Sequence, residues 1–469
     1  MSDRKKILLL SDDLRLPSGV GVMSKHIVLG TLDKFDWVQV GAAVNHPDQG
    51  KIFDLSDDAR KMSGIDNASV KVYPWSGYGT PELLRQLLNQ EQPDAILHFT
   101  DPRQWLWLYN IEHEIRQNVP IFFYHIWDDL PDPLYNRNYY ECCDWIGCIS
   151  KQTYGITNRV WNSTRQPQWN QPNENQIDYV PHGVDTDAYF PITEDHKDFP
   201  LIDQFKQKMF GDEEPEYVLF YNSRNIRRKM TSDILLAFKR FLDDHDGDTS
   251  KIKCVLHTTP VDNNGTDLPK VIDHLMPEYT NNFIFSVEKL PAEHLNVLYN
   301  IADTTIHISS NEGFGLATAE SIAAGTPIIV NVTGGLQDQC GFKWKNGEYF
   351  SADDYVDIGS LHEWRTWKGQ VDHGEWVTPV WPAAINIQGS PPTPYIFDDR
   401  ADIIDVKGAI EEQYEMGRNE RKRRGLKGRK WLLGPGGLGK DHMCSLFKEY
   451  MTREIETWTP RKRFEVTPV

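Results

Sequence analysis

The sequence predicts an α/β protein made of two Rossmann-like domains that face each other across a cleft. Three observations carry this prediction. Short apolar strands alternate with helical runs in both halves of the chain. At 469 residues the chain is too long for one compact core. A tract rich in Glu, Asp, Lys and Pro over residues 192–215 reads as the linker between the halves. The division expected is a first domain over 1–195, a second over 196–440, and a terminal helix and tail over 441–469 that pack back on the first.

The first half opens with an apolar strand over residues 6–11, a loop over 12–21 and a helix over 22–32. That loop carries Gly19-Val20-Gly21-Val22-Met23-Ser24, which departs from the dinucleotide fingerprint at its third glycine, replaced by Ser24. The next strand, 37–40, ends in Gly41-Ala42 and lacks a ribose-binding acid, so a nicotinamide enzyme is disfavoured. Gly19 and Gly21 instead let backbone approach a diphosphate or an acceptor. Three further short strands follow at 95–99, 120–124 and 145–149. Functional residues of such sheets stand just past the strand ends, which here are Asp101, then His125 with Asp128 and Asp129, then Ser150. His182 and Asp185 lack a third clustered ligand, so they read as a turn and no metal site is expected.

The second half repeats the pattern. A strand at 217–221 runs into Asn222-Ser223-Arg224-Asn225-Ile226-Arg227-Arg228-Lys229 and then a helix over 231–242. Cations at a helix start oppose its dipole unless an anion arrives, so this loop reads as a phosphate site. Strands at 251–257 and 283–287 and a helical run over 290–303 lead to a strand at 304–308. There Glu312-Gly313-Phe314-Gly315-Leu316 opens an alanine-rich helix that contains Glu320 and stops at Gly325 and Pro327, before a buried strand at 328–330. Two carboxylates eight positions apart thus flank a glycine entry into a helix N-terminus, a place suited to holding an anion beside hydroxyl groups.

This pattern resembles the Glu-x7-Glu element of retaining glycosyltransferases with the two-Rossmann-domain (GT-B) architecture, glycosyltransferase family 4 in particular. The resemblance implies that Glu312 contacts a donor sugar and Glu320 the ribose hydroxyls. It also implies that Arg224 and Lys229 neutralise the β-phosphate, with Arg228 as a third contact, and that main chain near Leu290 meets the nucleobase. His125 matches the family's strand-end histidine that reaches the sugar. Gly313, Phe314, Gly315 and Leu316 would line the donor site, and Gly19 and Gly21 would lie across the cleft. Asp128 and Asp101 fall on the acceptor side. The function implied is transfer of a sugar, with retention, from a nucleotide-diphospho-sugar to an acceptor hydroxyl, without metal or other cofactor. A polysaccharide, a lipid-linked glycan, a protein or a hydroxymethylated DNA base are the acceptors open to it. A nucleotide-sugar-binding protein without catalysis is the alternative class.

Composition narrows the rest. A formal charge of −18 and a pI near 5.3 argue against nucleic-acid binding by the whole surface. One dense basic run contains Arg418, Arg421, Lys422, Arg423, Arg424, Lys427, Arg429 and Lys430, and is a solvated helix face or a candidate for contact with an anionic surface. The apolar run 7–10 is too short for a signal peptide, and six cysteines lack a framework spacing, so a reducing, cytoplasmic setting is expected. Residues 341–394 hold Trp344, Trp364, Trp367, Trp376 and Trp381 and read as an insertion that fills a small core or shapes an acceptor site. The run Gly434 to Lys440 has P-loop spacing, but Asp441 replaces the magnesium-binding hydroxyl, and it reads as a loop before the last helix. An NTPase would depend on Lys440 and be indifferent to Glu312.

Overall fold

The computed structural model describes residues 4–163, 176–357 and 367–461. The first domain is an eight-stranded sheet of β1 (Lys5–Asp12), β2 (Phe35–Ala43), β3 (Phe53–Asp54), β4 (Val70–Ser76), β5 (Ala95–Phe99), β6 (Ile121–His125), β7 (Trp145–Cys148) and β8 (Ile177–Tyr179). Their order is β3-β4-β2-β1-β5-β6-β7-β8, parallel throughout except for the β3–β4 pair. In β1, Ile7, Leu8, Leu9 and Leu10 are all buried, because helices cover both faces of the sheet.

The second domain pairs β9 (Tyr217–Asn222), β10 (Ile252–His257), β11 (Phe283–Ser286), β12 (Thr304–His307) and β13 (Ile328–Asn331). Beyond them come a short ribbon of β14 (Lys343–Trp344) with β15 (Val371–Asp372), then β16 (Val377–Val380), and a hairpin of β17 (Ala384–Ser390) with β18 (Thr393–Arg400). The main sheet runs β11-β10-β9-β12-β13-β16, all parallel. Its order reverses between β9 and β12, and that is where a doubly wound sheet leaves a crevice at its carboxyl edge.

Several elements differ from the sequence reading. The first helix is Gly19–Gly30, so Gly19 and Gly21 occupy its first turn and not the loop before it. The reason is Ser18, whose hydroxyl accepts from Gly21 N at 3.0 Å and donates to Asp12 Oδ2 at 2.9 Å. The tract between the halves contains a helix, Phe199–Phe210, whose Phe205 ring meets His294 at 5.4 Å. The Trp-rich stretch is not a separate insertion, since β16 completes the second sheet. Its tryptophans fill core: Trp376 stacks on Trp431 at 4.7 Å, and Trp344 and Trp367 pack on Phe350. Trp364 lies outside the described residues.

The basic run forms the helix Arg418–Leu433, with Arg421 buried and most of the other cations on its exposed face. Arg421 is buried against Asp303 at 2.9 Å and over the Tyr217 ring. Arg423 and Lys427 pair with Glu375, Arg424 with Glu420, and Arg429 donates to the carbonyls of Tyr189 and Ala323. An anionic partner at this face would compete with these surface pairs. The Gly434–Lys440 loop docks on the His182–Asp185 turn, where Lys440 N donates to Val184 O at 2.9 Å and its ammonium pairs with Asp185 at 3.0 Å. From there the helix Lys440–Thr457 crosses back to the first domain, with Phe447 against Tyr124 and Arg453 on Asp178. No described helix is long and apolar enough to cross a membrane.

Asp303 joins two parts of this architecture, since its second oxygen accepts from Val218 N at 3.0 Å. Asp303→Ala leaves Arg421 buried without its counter-charge and is expected to destabilise the protein by about 3–5 kcal/mol in denaturant unfolding. An unchanged midpoint would show that the pair does not bind the last helices to the second sheet.

Candidate active site

A cleft of about 1290 Å³ lies between the domains, at the carboxyl edges of both sheets. Its centre is assembled by the two loops at the β9/β12 reversal. The loop after β9 makes a short 3-10 turn, Arg227–Lys229, and the loop after β12 carries Ser309 to Glu312. Ser310 N donates to Arg228 O at 2.8 Å, which ties the two loops together. Arg228 donates to Asn311 O at 2.9 Å and lies 3.4 Å from Glu312 Oε2. Lys229 forms an ion pair with the same carboxylate, and Ser309 Oγ donates to it at 3.3 Å.

Lys229 and Glu312 are 8% and 9% exposed, so this charge pair is essentially out of water. Burial would raise the Glu312 carboxyl, but Lys229 and Arg228 outweigh it and hold it well below the ordinary carboxylate range. Burial also pulls the Lys229 ammonium down, and Glu312 offsets part of that. Arg224 behaves differently. It stands exposed at the cleft mouth, with its guanidinium on Asp262 at 2.8 Å. The cation beside Lys229 is therefore Arg228, and the expected Arg224–Lys229 couple is split between rim and floor.

Backbone packing fixes where Glu312 sits. Gly335 N donates to Glu312 O at 2.8 Å, and a Cβ on Gly335 would fall 2.2 Å from Gly313 O. Gly315, at φ +89°, caps the helix Leu316–Ala323 with no side chain to satisfy the first amides, while Gln339 clamps the carbonyls of Phe314 and Gly315. Leu316 and Ala317 line the cleft, so the bare helix N-terminus opens into it. Gly313 and Phe314 meet the first domain: a Cβ on Gly313 would stand 2.9 Å from Ile149, and the Phe314 ring packs on His182 at 5.5 Å. Gly19 faces Leu316 across the gap. Gly21 does not line the cleft; its lack of a Cβ serves close packing on the Leu16 and Asp13 carbonyls.

Glu320 also lines the cleft, with a different environment. Tyr299 donates to it at 2.7 Å, Tyr189 adds a second hydroxyl, and Asn222 orients Tyr299 at 2.8 Å. Burial without a facing cation pushes its carboxyl up to about 7. Leu290 completes this part of the wall. The sequence reading gave the two tyrosines and Asn222 no role in the site, and the helical spacing of residues 290–303 was the signal for Tyr299.

On the first domain, His125 ends β6 but its ring is engaged with its own domain. Thr157 Oγ1 donates to Thr153 O, so it accepts from His125 Nδ1 at 2.9 Å, while Tyr140 donates to Nε2 at 3.2 Å. Burial lowers it to about 3, so it is neutral, and neither nitrogen is free to reach a sugar. Asp101 caps the turn Pro102–Trp105 and holds the Arg103 guanidinium, and Ser150 caps the helix Lys151–Trp161. Asp128 and Asp129 line the cleft together. So do Gln388, Ser390 and Thr393 from the β17–β18 hairpin, which the sequence reading missed although Gly389-Ser390-Pro391-Pro392 is a turn signal between two alternating runs.

Residues 202–354 match the family model "Glycosyl transferases group 1", so the second domain carries a domain of that kind. A 74-residue stretch is 35% identical to D-inositol 3-phosphate glycosyltransferase of Corynebacterium urealyticum, spanning 16% of this chain and 18% of that protein. Over its whole length the fold is similar to sucrose-phosphate synthase of Thermosynechococcus elongatus (TM-score 0.65, 15% identity, 97% of this chain and 100% of that one). It is also similar to a glycosyltransferase from Rickettsia africae (0.63, 13%, 97% and 100%) and to an Anabaena protein solved with UDP and glucose (0.60, 12%, 96% and 100%). The architecture is thus the GT-B arrangement of two Rossmann-like domains.

The raised Glu320 carboxyl has a thermodynamic signature. Below about 4.5 it is protonated in both folded and unfolded chains; between 4.5 and about 7 only the folded chain keeps the proton, so stability falls as pH rises. Relative to Glu320→Gln, the wild type should lose on the order of 2 kcal/mol across that window, read by denaturant unfolding at each pH. Parallel curves for the two proteins would sink this assignment.

Proposed function

We propose that the protein is a retaining glycosyltransferase that moves a sugar from a nucleotide-diphospho-sugar to an acceptor hydroxyl. The observation that carries this reading is the buried Lys229–Glu312 pair with half-buried Arg228 at the strand reversal, set beside an uncapped helix N-terminus and a hydroxyl-binding acid, Glu320. Two cations and free amides suit a diphosphate. Glu320 accepts hydrogen bonds already and would take the ribose hydroxyls, with main chain near Leu290 beside the base. Support comes also from the group 1 domain over residues 202–354 and from similarity to a structure that holds UDP and glucose.

In this mechanism Arg228 and Lys229 stabilise the charge that grows on the leaving diphosphate, with Arg224 swinging from Asp262 to close over it. Glu312, kept ionised by Lys229, orients the sugar hydroxyls and the partial positive charge at the anomeric carbon. The acceptor hydroxyl attacks from the face the diphosphate leaves. The anomeric carbon–oxygen bond to diphosphate breaks, the bond to the acceptor oxygen forms, and the hydroxyl proton passes to a diphosphate oxygen. Catalysis is then electrostatic preorganisation and positioning. The Arg228 and Lys229 charges do the work a divalent cation does elsewhere, so turnover is expected to persist in EDTA.

Lys229→Ala and Glu312→Ala should each lower kcat by roughly 10²–10³-fold, with the fold preserved by circular dichroism. Arg224→Ala should cost less and act mainly on donor KM. Full turnover in folded Glu312→Ala would refute the reading. Ribose hydroxyls bind the ionised Glu320 best, so affinity for nucleoside diphosphate should rise as pH passes through about 7 and flatten in Glu320→Gln, as measured by calorimetry.

A further inference from the structure

Beyond Glu312 the cleft has a second part that the donor reading leaves without a role. It is lined by Asp101 and Arg103 after β5, by Trp127, Asp128 and Asp129 after β6, and by the tip of the β17–β18 hairpin. The hairpin is strapped to both domains. Phe397 N donates to Leu130 O at 2.6 Å and Tyr135 to Tyr395 O at 2.8 Å, while Arg103 holds Thr393. On the other side Asp399 N donates to Ser310 O at 2.9 Å, and Asp398 accepts from Ser310 and Asn311, the residues just before Glu312. The hairpin therefore closes this end of the cleft next to the centre where the sugar would be transferred.

The charges here are one-sided. Arg103 is committed to Asp101 through two short contacts, and Arg228, bound to the Glu312 loop, is taken by the donor diphosphate in the proposed function. The histidines that line the cleft carry no charge near neutral pH: burial lowers His26 to about 4 and His125, His182 and His307 to about 3. Against these stand the adjacent carboxyls of Asp128 and Asp129 near Arg228, both raised by burial, Asp129 well above the usual carboxylate range. Asp129 is 8% exposed, yet its Oδ1 has no hydrogen-bond partner among the described residues. A buried oxygen of this kind calls for a donor. A phosphate ester would enter beside an acidic pair, and among the described residues lining this part of the cleft no uncommitted cation meets it. A hydroxyl brings a donor, and can accept in turn from Gln388 or Ser390.

We propose that this is the acceptor subsite and that it takes an uncharged polyhydroxyl group, a sugar or polyol without phosphate, whose hydroxyl is held by the Asp128–Asp129 pair under the β17–β18 hairpin. The proposal rests on the glycosyltransferase reading for its chemistry but not for its ligand. Two experiments separate the two. In the first, saturation-transfer NMR without donor compares glucose with glucose 6-phosphate and inositol with inositol 3-phosphate on the full-length protein. The uncharged member of each pair should bind, and Asp129→Asn and Gln388→Ala should each weaken it at least tenfold. In the second, nucleoside diphosphate release from a nucleotide-sugar panel is measured with the same pairs. The uncharged member should show at least tenfold higher kcat/KM, and both variants should raise acceptor KM at least tenfold while donor KM moves less than threefold. Equal or better binding or transfer with the phosphorylated member overturns the subsite. So does failure of every uncharged sugar and polyol to bind, or indifference of both variants. Absence of any diphosphate release, with uncharged sugars still bound, would instead count against the transferase reading alone.

Discussion

The structure turns on one interaction: a lysine and a glutamate buried against each other at the point where the second sheet reverses its strand order. Buried ion pairs are weak sources of stability, since the desolvation of both charges nearly cancels their attraction. Breaking one is costly, but replacing both with apolar residues seldom is. Lys229 and Glu312 are therefore better explained by what they do than by what they stabilise. The surrounding fold is arranged to keep them fixed. Gly334 and Gly335 let the next loop lie directly on the Glu312 backbone, Ser310 ties the glutamate loop to Arg228, and Asp398 and Asp399 brace Ser310 from the hairpin. The result is a centre in which Arg228, Lys229 and Glu312 are held in fixed relation.

The second constraint is the joint between domains. Lys151 N donates to Asp338 across the interface at 3.0 Å, and Tyr179 donates to the same carboxylate at 2.9 Å. Gly155 packs so closely that a Cβ would fall 2.3 Å from Tyr355 O. Arg429 reaches carbonyls at the end of the first domain and at the C-terminus of the Leu316–Ala323 helix, a place where a cation also complements the helix dipole. The crossing helix Lys440–Thr457 completes the clasp. Contacts at the joint, the crossing helix and the hairpin hold the cleft walls at a defined spacing around the Glu312 centre.

How much of this was legible in the sequence follows from how local each feature is. The strands β1, β5, β9, β12 and β13 are short apolar runs buried on both faces, and their periodicity and glycine stops locate them. The Glu312 and Glu320 positions followed from the same local grammar. Partner choice did not. Arg224 and Arg228 are four residues apart in one loop, and only the turn at Arg227–Lys229 decides that Arg228 points to Glu312 while Arg224 meets Asp262. His125 stands at the right strand end, but Thr157 and Tyr140, distant in sequence, occupy its nitrogens. The hairpin was hidden because its neighbours are rich in Trp and Pro, and composition there suggested an insertion more strongly than alternation suggested strands. The solvent-facing side of the basic helix was legible, but its pairing with Asp303 and Glu375 was not, because these carboxylates lie far away along the chain.

The two glutamates show why residue type and spacing identify a site without assigning its chemistry. Both lie in one strand–loop–helix unit, both line the same cleft, and burial pushes both carboxyls upward. Glu312 meets two cations and is driven the other way, so it stays ionised at any physiological pH. Glu320 meets only hydroxyl donors, and its carboxyl remains near 7. A permanently charged group suits the stabilisation of a cationic reacting carbon, whereas a group poised near neutrality responds to what binds it. Hydroxyls that donate to Glu320 favour its ionised form and draw its pKa down, so in the proposed function donor binding and proton release are coupled at this residue. The asymmetry comes from Lys229 and Arg228, and thus from the loop after β9, which lies more than eighty residues before the helix it controls.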